Sequence, residues 1–332
     1  MTLRRRRTVL IAALALLLAL AVVASFAVGT RQIDFAATVA ALVGRGEGTD
    51  GMVVVDLRGP RTLIGLVAGA ALGVAGALMQ GVTRNPLADP GILGVNAGAS
   101  LLVVVAIAVF GVSSASGYVW FAFAGAALAT VLVYAIGAGR GGATPLSLTL
   151  AGAAVTAMLT AIITMLLLID LDTLSQFRFW QVGSLTGRDL AAVGAVAPFV
   201  AIGLIVAAVL APRLNALALG DELATGLGQS VGATRIAAAV AVVLLCGGAT
   251  AIAGPIVFVG LVVPHVARRL IGVDYRWVMP FAVLLGPTLL LLADVLGRVV
   301  VAPAELEAGM MVAVIGAPVL VALVRRPRVM AL

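Results

Sequence analysis

Apolar residues run through this chain in long unbroken blocks, separated by short polar stretches or by glycine and proline. Ten such blocks can be read: residues 8–29, 62–82, 92–111, 118–138, 145–169, 191–211, 234–253, 256–267, 277–297 and 308–324. Most approach the roughly 20 residues that an α-helix needs to cross a bilayer core of about 30 Å. A membrane β-barrel would show alternating segments of about ten residues, and these runs do not alternate. The pattern predicts an all-α, polytopic membrane protein of about ten transmembrane helices. The eighth block is too short to cross unaided and reads as a half-length helix whose ends are buried in protein. The second carries Gly65, Gly69, Gly73, Ala77 and Gly81, a small residue at every fourth position, which gives one helix face a flat ridge that another backbone can approach. Residues 1–332 read as one transmembrane domain. The polar stretches 30–61, 170–190 and 211–234 are its loops, each with room for a short helix.

Charge sets the direction. All 21 basic residues are arginine. With both termini cytoplasmic, fourteen fall inside (Arg4, Arg5, Arg6, Arg7, Arg84, Arg140, Arg213, Arg235, Arg268, Arg269, Arg276, Arg325, Arg326 and Arg328) and seven outside (Arg31, Arg45, Arg58, Arg61, Arg178, Arg188 and Arg298). This excess follows the positive-inside rule and supports an even number of crossings. The basic start also resembles a secretory signal, with Ser25-Phe26-Ala27 as a weak cleavage site. Its apolar run exceeds the 7 to 15 residues typical of a signal, so an uncleaved first helix is expected.

Composition removes several chemistries. Charged residues are only 11% of the chain against 63% hydrophobic, roughly half the charge of a soluble domain. Without lysine the chain cannot contain the GxxxxGK[ST] phosphate loop, so no ATP is bound that way. One histidine, His265, and one cysteine, Cys246, are too few for a metal centre of the usual three or four N/S ligands or for an internal disulfide. The net charge of +7 sits at block ends rather than in a stripe, which suits membrane topology and not nucleic acid.

Three segments carry more than membrane composition. Arg58-Gly59-Pro60-Arg61-Thr62-Leu63 leads into the second block, which ends in Gly76-Ala77-Leu78-Met79-Gln80 and is followed by Asn85-Pro86-Leu87-Ala88-Asp89-Pro90-Gly91. Further on stand Leu219-Gly220-Asp221-Glu222-Leu223-Ala224-Thr225-Gly226-Leu227-Gly228 and Gly254-Pro255-Ile256-Val257-Phe258-Val259-Gly260-Leu261-Val262-Val263-Pro264-His265-Val266-Ala267-Arg268. In this order they resemble the iron-siderophore and cobalamin permease family of ABC importers over nearly the whole chain. Residues 85–100 and 177–185 are especially similar to ferric enterobactin permease subunits, which leans toward a catecholate siderophore. Gly59 departs from the bulky residue that the family usually has there.

The resemblance implies a type II ABC importer permease bundle in the bacterial cytoplasmic membrane. It would work with a second permease subunit, a homologous heterodimer partner being favoured over a second copy. Two ATP-binding cassette subunits would use ATP and Mg, and a substrate-binding protein would deliver ferric siderophore, with haem or cobalamin as alternative cargo. The chain itself would be no enzyme and hold no cofactor. Leu219, Leu223 and Leu227 recur every fourth residue on one face of a short helix, with Asp221 and Glu222 at its N-terminal end and Gly226 or Gly228 to stop it. The family places its ATPase-coupling helix here, in the segment 212–230, so Asp221, Glu222, Leu223, Ala224, Thr225, Gly226, Leu227 and Gly228 are expected to couple. Arg58, Arg61 and Arg298 should emerge together outside, where the resemblance implies pairing with acidic residues of the binding protein and snorkelling is the plainer alternative. Residues 139–145 correspond to an inner gate, with Thr144 as its candidate. Arg178 and Trp180 could meet an anionic aromatic chelate near the entrance, or anchor the membrane interface. Asn85, Pro86, Pro264 and His265 read as hinges or breaks, with proton transfer by His265 as a lesser possibility. A rival reading, an ion-coupled secondary transporter, would need an acid within the membrane. Asp294 is its candidate, although Arg298 four residues on offers it an ion pair.

Overall fold

The computed structural model describes residues 3–46, 48–139, 142–187 and 190–324. Arg140, Arg188, Arg325, Arg326 and Arg328, which entered the charge count above, lie outside the described residues. The rest form thirteen helices. In chain order these are α1 (Leu3–Ala27), α2 (Phe35–Leu42), α3 (Gly48–Thr83), α4 (Val95–Phe110), α5 (Ala115–Gly137), α6 (Pro145–Ile169), α7 (Leu171–Gln181), α8 (Leu190–Leu217), α9 (Asp221–Gly226), α10 (Val231–Ala253), α11 (Val259–Ile271), α12 (Tyr275–Val300) and α13 (Ala308–Val324). A hairpin of two-residue strands, β1 (Ala138–Gly139) and β2 (Gly142–Ala143), joins α5 to α6.

Seven helices are long and apolar enough to cross a membrane: α1, α3, α5, α6, α8, α10 and α12. With the shorter α4, α11 and α13 they account for all ten apolar blocks. The remaining three, α2, α7 and α9, fall in the three polar stretches. The second block was expected to begin at residue 62, but α3 starts at Gly48 and reaches it through a wide π-turn, Val53–Arg58, with Pro60 just beyond. A proline lacks the donor that an ordinary helical turn needs, and a wider turn beside it absorbs the mismatch.

The small-residue ridge on α3 meets α12 backbone to backbone. A β-carbon on Gly69 would lie 2.5 Å from the Pro287 backbone, and one on Gly286 would lie 2.0 Å from the Gly69 carbonyl oxygen. No side chain fits there, so the two helices are fixed in register by the absence of one. Around this pair α3 is buried nearly throughout from Pro60 onward, whereas α1 exposes Leu16, Leu17 and Leu20.

The break expected at Pro264-His265 lies elsewhere. Chain direction changes over residues 254–258, where Gly254 (φ 73°) and Phe258 (φ 70°) adopt left-handed backbone, and Pro264 sits inside α11. Proline there removes the amide that would bond to the Gly260 carbonyl. Gln80 of α3 supplies the replacement, its Nε2 donating to the Gly260 and Leu261 oxygens at 3.3 Å each. Its Oε1 accepts from Arg268.

Candidate functional sites at the two ends of the bundle

At the end that carries Arg4, Arg5, Arg6 and Arg7, the segment after α8 holds a short helix, α9, but this is shorter than the leucine period implies: Leu219 precedes it and Leu227 caps it. Gly220, at φ 112°, turns the chain into α9. Asp221 then holds the helix in place: its carboxylate accepts from Arg235 of α10 at 2.9 Å and pairs with Arg84, the C-cap of α3, at 3.2 Å. Ala224 is fully buried beneath, and Gly228, at φ 83°, ends the turn. Facing away are Leu219, Leu223 and Leu227, which are 60%, 60% and 66% exposed. Leu223 on α9, with Leu219 just before it and Leu227 at its C-cap, forms an exposed apolar ridge on a segment clamped by ion pairs at a polar end of the molecule. Such a ridge marks a surface built to be covered.

Thr144 serves as the N-cap of α6: its Oγ1 accepts from the Ser147 amide at 3.1 Å and its own amide donates to Ser147 Oγ at 3.0 Å. Of the expected gate segment, Arg140 and Gly141 lie outside the described residues. Asn85 makes a tight turn after α3, its Oδ1 accepting from the Leu87 amide at 3.0 Å, with Pro86 between them. His265 is half-buried on α11.

The opposite end corrects two expectations. Arg58, Arg61 and Arg298 are 5%, 7% and 2% exposed rather than set out on the surface. Arg61 grips Asp294 with Nε at 2.9 Å and Nη2 at 2.8 Å, and reaches Glu305 with Nη1 at 2.6 Å. Arg298 pairs with the same Asp294 and donates to the Ser25 and Val28 carbonyls at 2.8 Å each. Arg58 donates to the Phe26, Ala27 and Arg31 carbonyls. The cause is local chemistry: Asp294 is fully buried, and a buried carboxylate requires a compensating cation. Two carboxylates balance Arg61 and Arg298, while Arg58 keeps its charge among carbonyl dipoles. Together these arginines floor an open depression of about 300 Å³, walled by Arg31, Leu57, Thr186, Gly187 and Glu305. Asp294, the acid on which an ion-coupled reading would rest, is thus held between two guanidinium groups.

The second correction concerns α7. Trp180 is 2% exposed and stacks on buried Phe177, with ring centroids 5.8 Å apart. The outward pair is Arg178 and Phe179, the guanidinium lying 4.8 Å from the exposed ring. Positions 177 and 180 are three apart, hence on one helix face, and that spacing was the available signal.

Sequence reading also passed over the polar flank of α6. Thr149, Thr156, Thr160 and Thr164 recur at helical spacing, and Thr160 and Thr164 border a cleft of about 340 Å³ together with Ser100 and Gln181. The other flank exposes Met158, Ile162 and Met165.

Ten apolar helices around a glycine-locked pair, a clamped leucine ridge at one end and an arginine-floored depression at the other define a multi-pass membrane permease. The chain belongs to the FecCD transport family, whose profile matches residues 17–326. It is 47% identical over 321 residues to the ferric enterobactin transport system permease protein FepD of Escherichia coli (strain K12), covering 96% of each chain. To the permease protein FepG of the ferric enterobactin transport system in the same organism it is 38% identical over 296 residues, covering 89% of each. A solved metal-chelate type ABC transporter in an inward-facing conformation superimposes with a TM-score of 0.84 at 27% identity, covering 96% of this chain and 99% of that one.

Proposed function

We propose that this chain is one half of the membrane pathway of an ABC importer for ferric siderophores of the catecholate, enterobactin-like class. The observation that carries this reading is the ridge of Leu219, Leu223 and Leu227, clamped through Asp221 and left bare in the chain by itself. A passive conduit driven from outside needs such a rigid handle. A separate ATPase that seats on α9 supplies the free energy, and its movements shift the bundle between two states. The arginine excess orients this end, with both termini, toward the cytoplasm of a bacterial cell.

At the outer end the docking role implied for Arg58, Arg61 and Arg298 fits their place on the floor of the depression. They shape it and make it positive, and an acidic group of a substrate-binding protein would enter it past Arg31. Similarity to both FepD and FepG favours pairing with a homologous second subunit rather than with another copy. Likeness to FepD favours a ferric catecholate over haem or cobalamin.

Reconstitution in vesicles with the cognate ATPase, partner permease and binding protein tests the whole reading. Radioiron presented as a ferric catecholate is expected to accumulate only with ATP and binding protein, and faster than ferric hydroxamate or ferric citrate. Accumulation against a gradient by the chain alone, without nucleotide, would overturn it.

A further inference from the structure

Where α1 begins, the basic residues form a patch that neither the leucine ridge nor the outer depression explains. Arg7 of α1 is fixed in place: its Nε donates to the Ile271 carbonyl at 2.9 Å, and its guanidinium lies 5.6 Å from the centre of the Trp277 ring. This ties the start of α1 to the corner between α11 and α12. Arg269 stands just before that corner and Arg276 just after it. Arg4, Arg5 and Arg6 lie within one helical turn of Arg7. Arg4, Arg5, Arg6, Arg269 and Arg276 are exposed, and Arg7 is half-buried. Among the described residues, no acidic side chain forms an ion pair with any of them. The nearest acid in sequence, Asp274, is already engaged: its Oδ1 accepts from Asn215 Nδ2 at 2.7 Å and from the Arg276 amide at 3.0 Å.

Large apolar side chains are interleaved with the charges. Leu3, Leu270 and Val273 are 72%, 40% and 59% exposed, and Trp277 lies half-buried among them. Beyond the arginines, α1 turns an apolar flank outward through Val9, Leu16, Leu20 and Val23. A surface that sits purely in water would not combine these features. Arginines at a helix end, apolar residues able to dip between acyl chains, and a tryptophan at the same level match the boundary between phosphate headgroups and hydrocarbon.

We propose that this corner is a binding site for the phosphate of an anionic phospholipid, which bridges α1 to the turn between α11 and α12. Guanidinium groups from two separate segments would grip one headgroup, and Leu270 would contact its glycerol and upper acyl carbons. A lipid held there fastens the first helix to α12, the helix against which the α3 ridge packs.

The test uses the assembled transporter, purified and placed in nanodiscs of phosphatidylcholine with phosphatidylglycerol or cardiolipin, with retained lipid counted by native mass spectrometry. The unaltered protein is expected to retain the anionic lipid preferentially and to lose it as salt rises. Arg269→Gln combined with Arg276→Gln leaves the basic start of α1, and so its membrane orientation, intact. Each arginine removed should weaken retention about fivefold, or about 25-fold for the pair. Equal retention of zwitterionic and anionic lipid by the unaltered protein, a reading that needs no variant, would overturn the site. So would a double variant that keeps its lipid, or one that keeps its lipid while losing the ATPase subunit, which would make the patch a protein-docking surface.

Discussion

Asp294 shows how one side chain organises a whole end of the bundle. It lies on α12, is fully buried, and accepts from Arg61 of α3 and Arg298 of its own helix. Removing its charge would leave Glu305, which reaches Arg61, as the one carboxylate beside two buried guanidinium groups. Asp294→Asn is therefore expected to destabilise the fold by about 3–5 kcal/mol, the usual cost of breaking a buried pair from one side, visible as a lowered unfolding midpoint in detergent. Gln80 plays a comparable role toward the other end, where it serves the carbonyl freed by Pro264 and accepts from Arg268. Gln80→Leu should cost about 1–3 kcal/mol, the penalty for buried polar groups left unmade, by the same measurement. A Pro264→Ala exchange made together with it should recover part of that loss, because alanine restores the missing amide. Asp170, at the N-cap of α7, is partly exposed and titratable. The hydroxyl of Thr173, and then the Thr173 amide, hold its carboxyl below the ordinary carboxylate value. Because the folded value is depressed, the cap's contribution is fully present above the ordinary carboxylate range, near pH 4. It fades as pH falls through the lower folded value. The protection of α7 amides, their exchange measured against the intrinsic rate at each pH, should be flat from neutral pH down to about 5 and should fall below about 4. Asp170→Asn, which still caps, should remove that pH dependence.

At the scale of elements, the sequence made some features legible and hid others, and the difference is one of range. Ten apolar blocks follow from local hydropathy, and all ten became helices. The four-residue leucine period announces a short helix, and α9 forms around Leu223 while exposed Leu219 and Leu227 flank it. The buried arginines could not be read, because Arg61 finds its partners at Asp294 and Glu305, more than 230 positions away. An arginine at a block end looks locally like a snorkelling one. The break before α11 was misplaced for a similar reason: Pro264 would interrupt an isolated helix, and only Gln80, 180 residues distant from Gly260, removes the penalty. Trp180 was drawn to the surface by its chemistry, against the helical spacing that turned it inward beside Phe177. Where local pattern and long-range contact coincide, as on α9, the consequence is sharp. Leu223→Asp replaces a 60% exposed side chain, so the melting of the chain should hardly change. Association with the ATPase should weaken about 30-fold, the effect of losing a central anchor worth about 2 kcal/mol. A titration of the ATPase against the reconstituted variant would read it.

On the scale of the molecule, the outward faces of the bundle are not alike. Between residues 9 and 24, α1 has no hydroxyl or amide side chain, and the long apolar stretch of α8 from residue 190 to 211 is equally bare. Such surfaces suit lipid. On α6 the exposed threonines run beside exposed Met158 and Met165, which is the mixture expected of a helix that borders a watery path on one flank and a second protein on the other. The second subunit should therefore cover α6, and its identity can be decided by cross-linking. Cys246, the single cysteine of the chain, is 1% exposed, so a cysteine introduced at the surface would react against little background. With Met165→Cys in the chain and a cysteine scan along the corresponding helix of a homologous permease, a bismaleimide should join the two subunits at positions spaced three or four apart. The same variant produced without that partner should give no dimer of itself. Self-cross-linking at the mass of two copies would make the pathway a homodimer, and failure to cross-link to either would return α6 to the lipid.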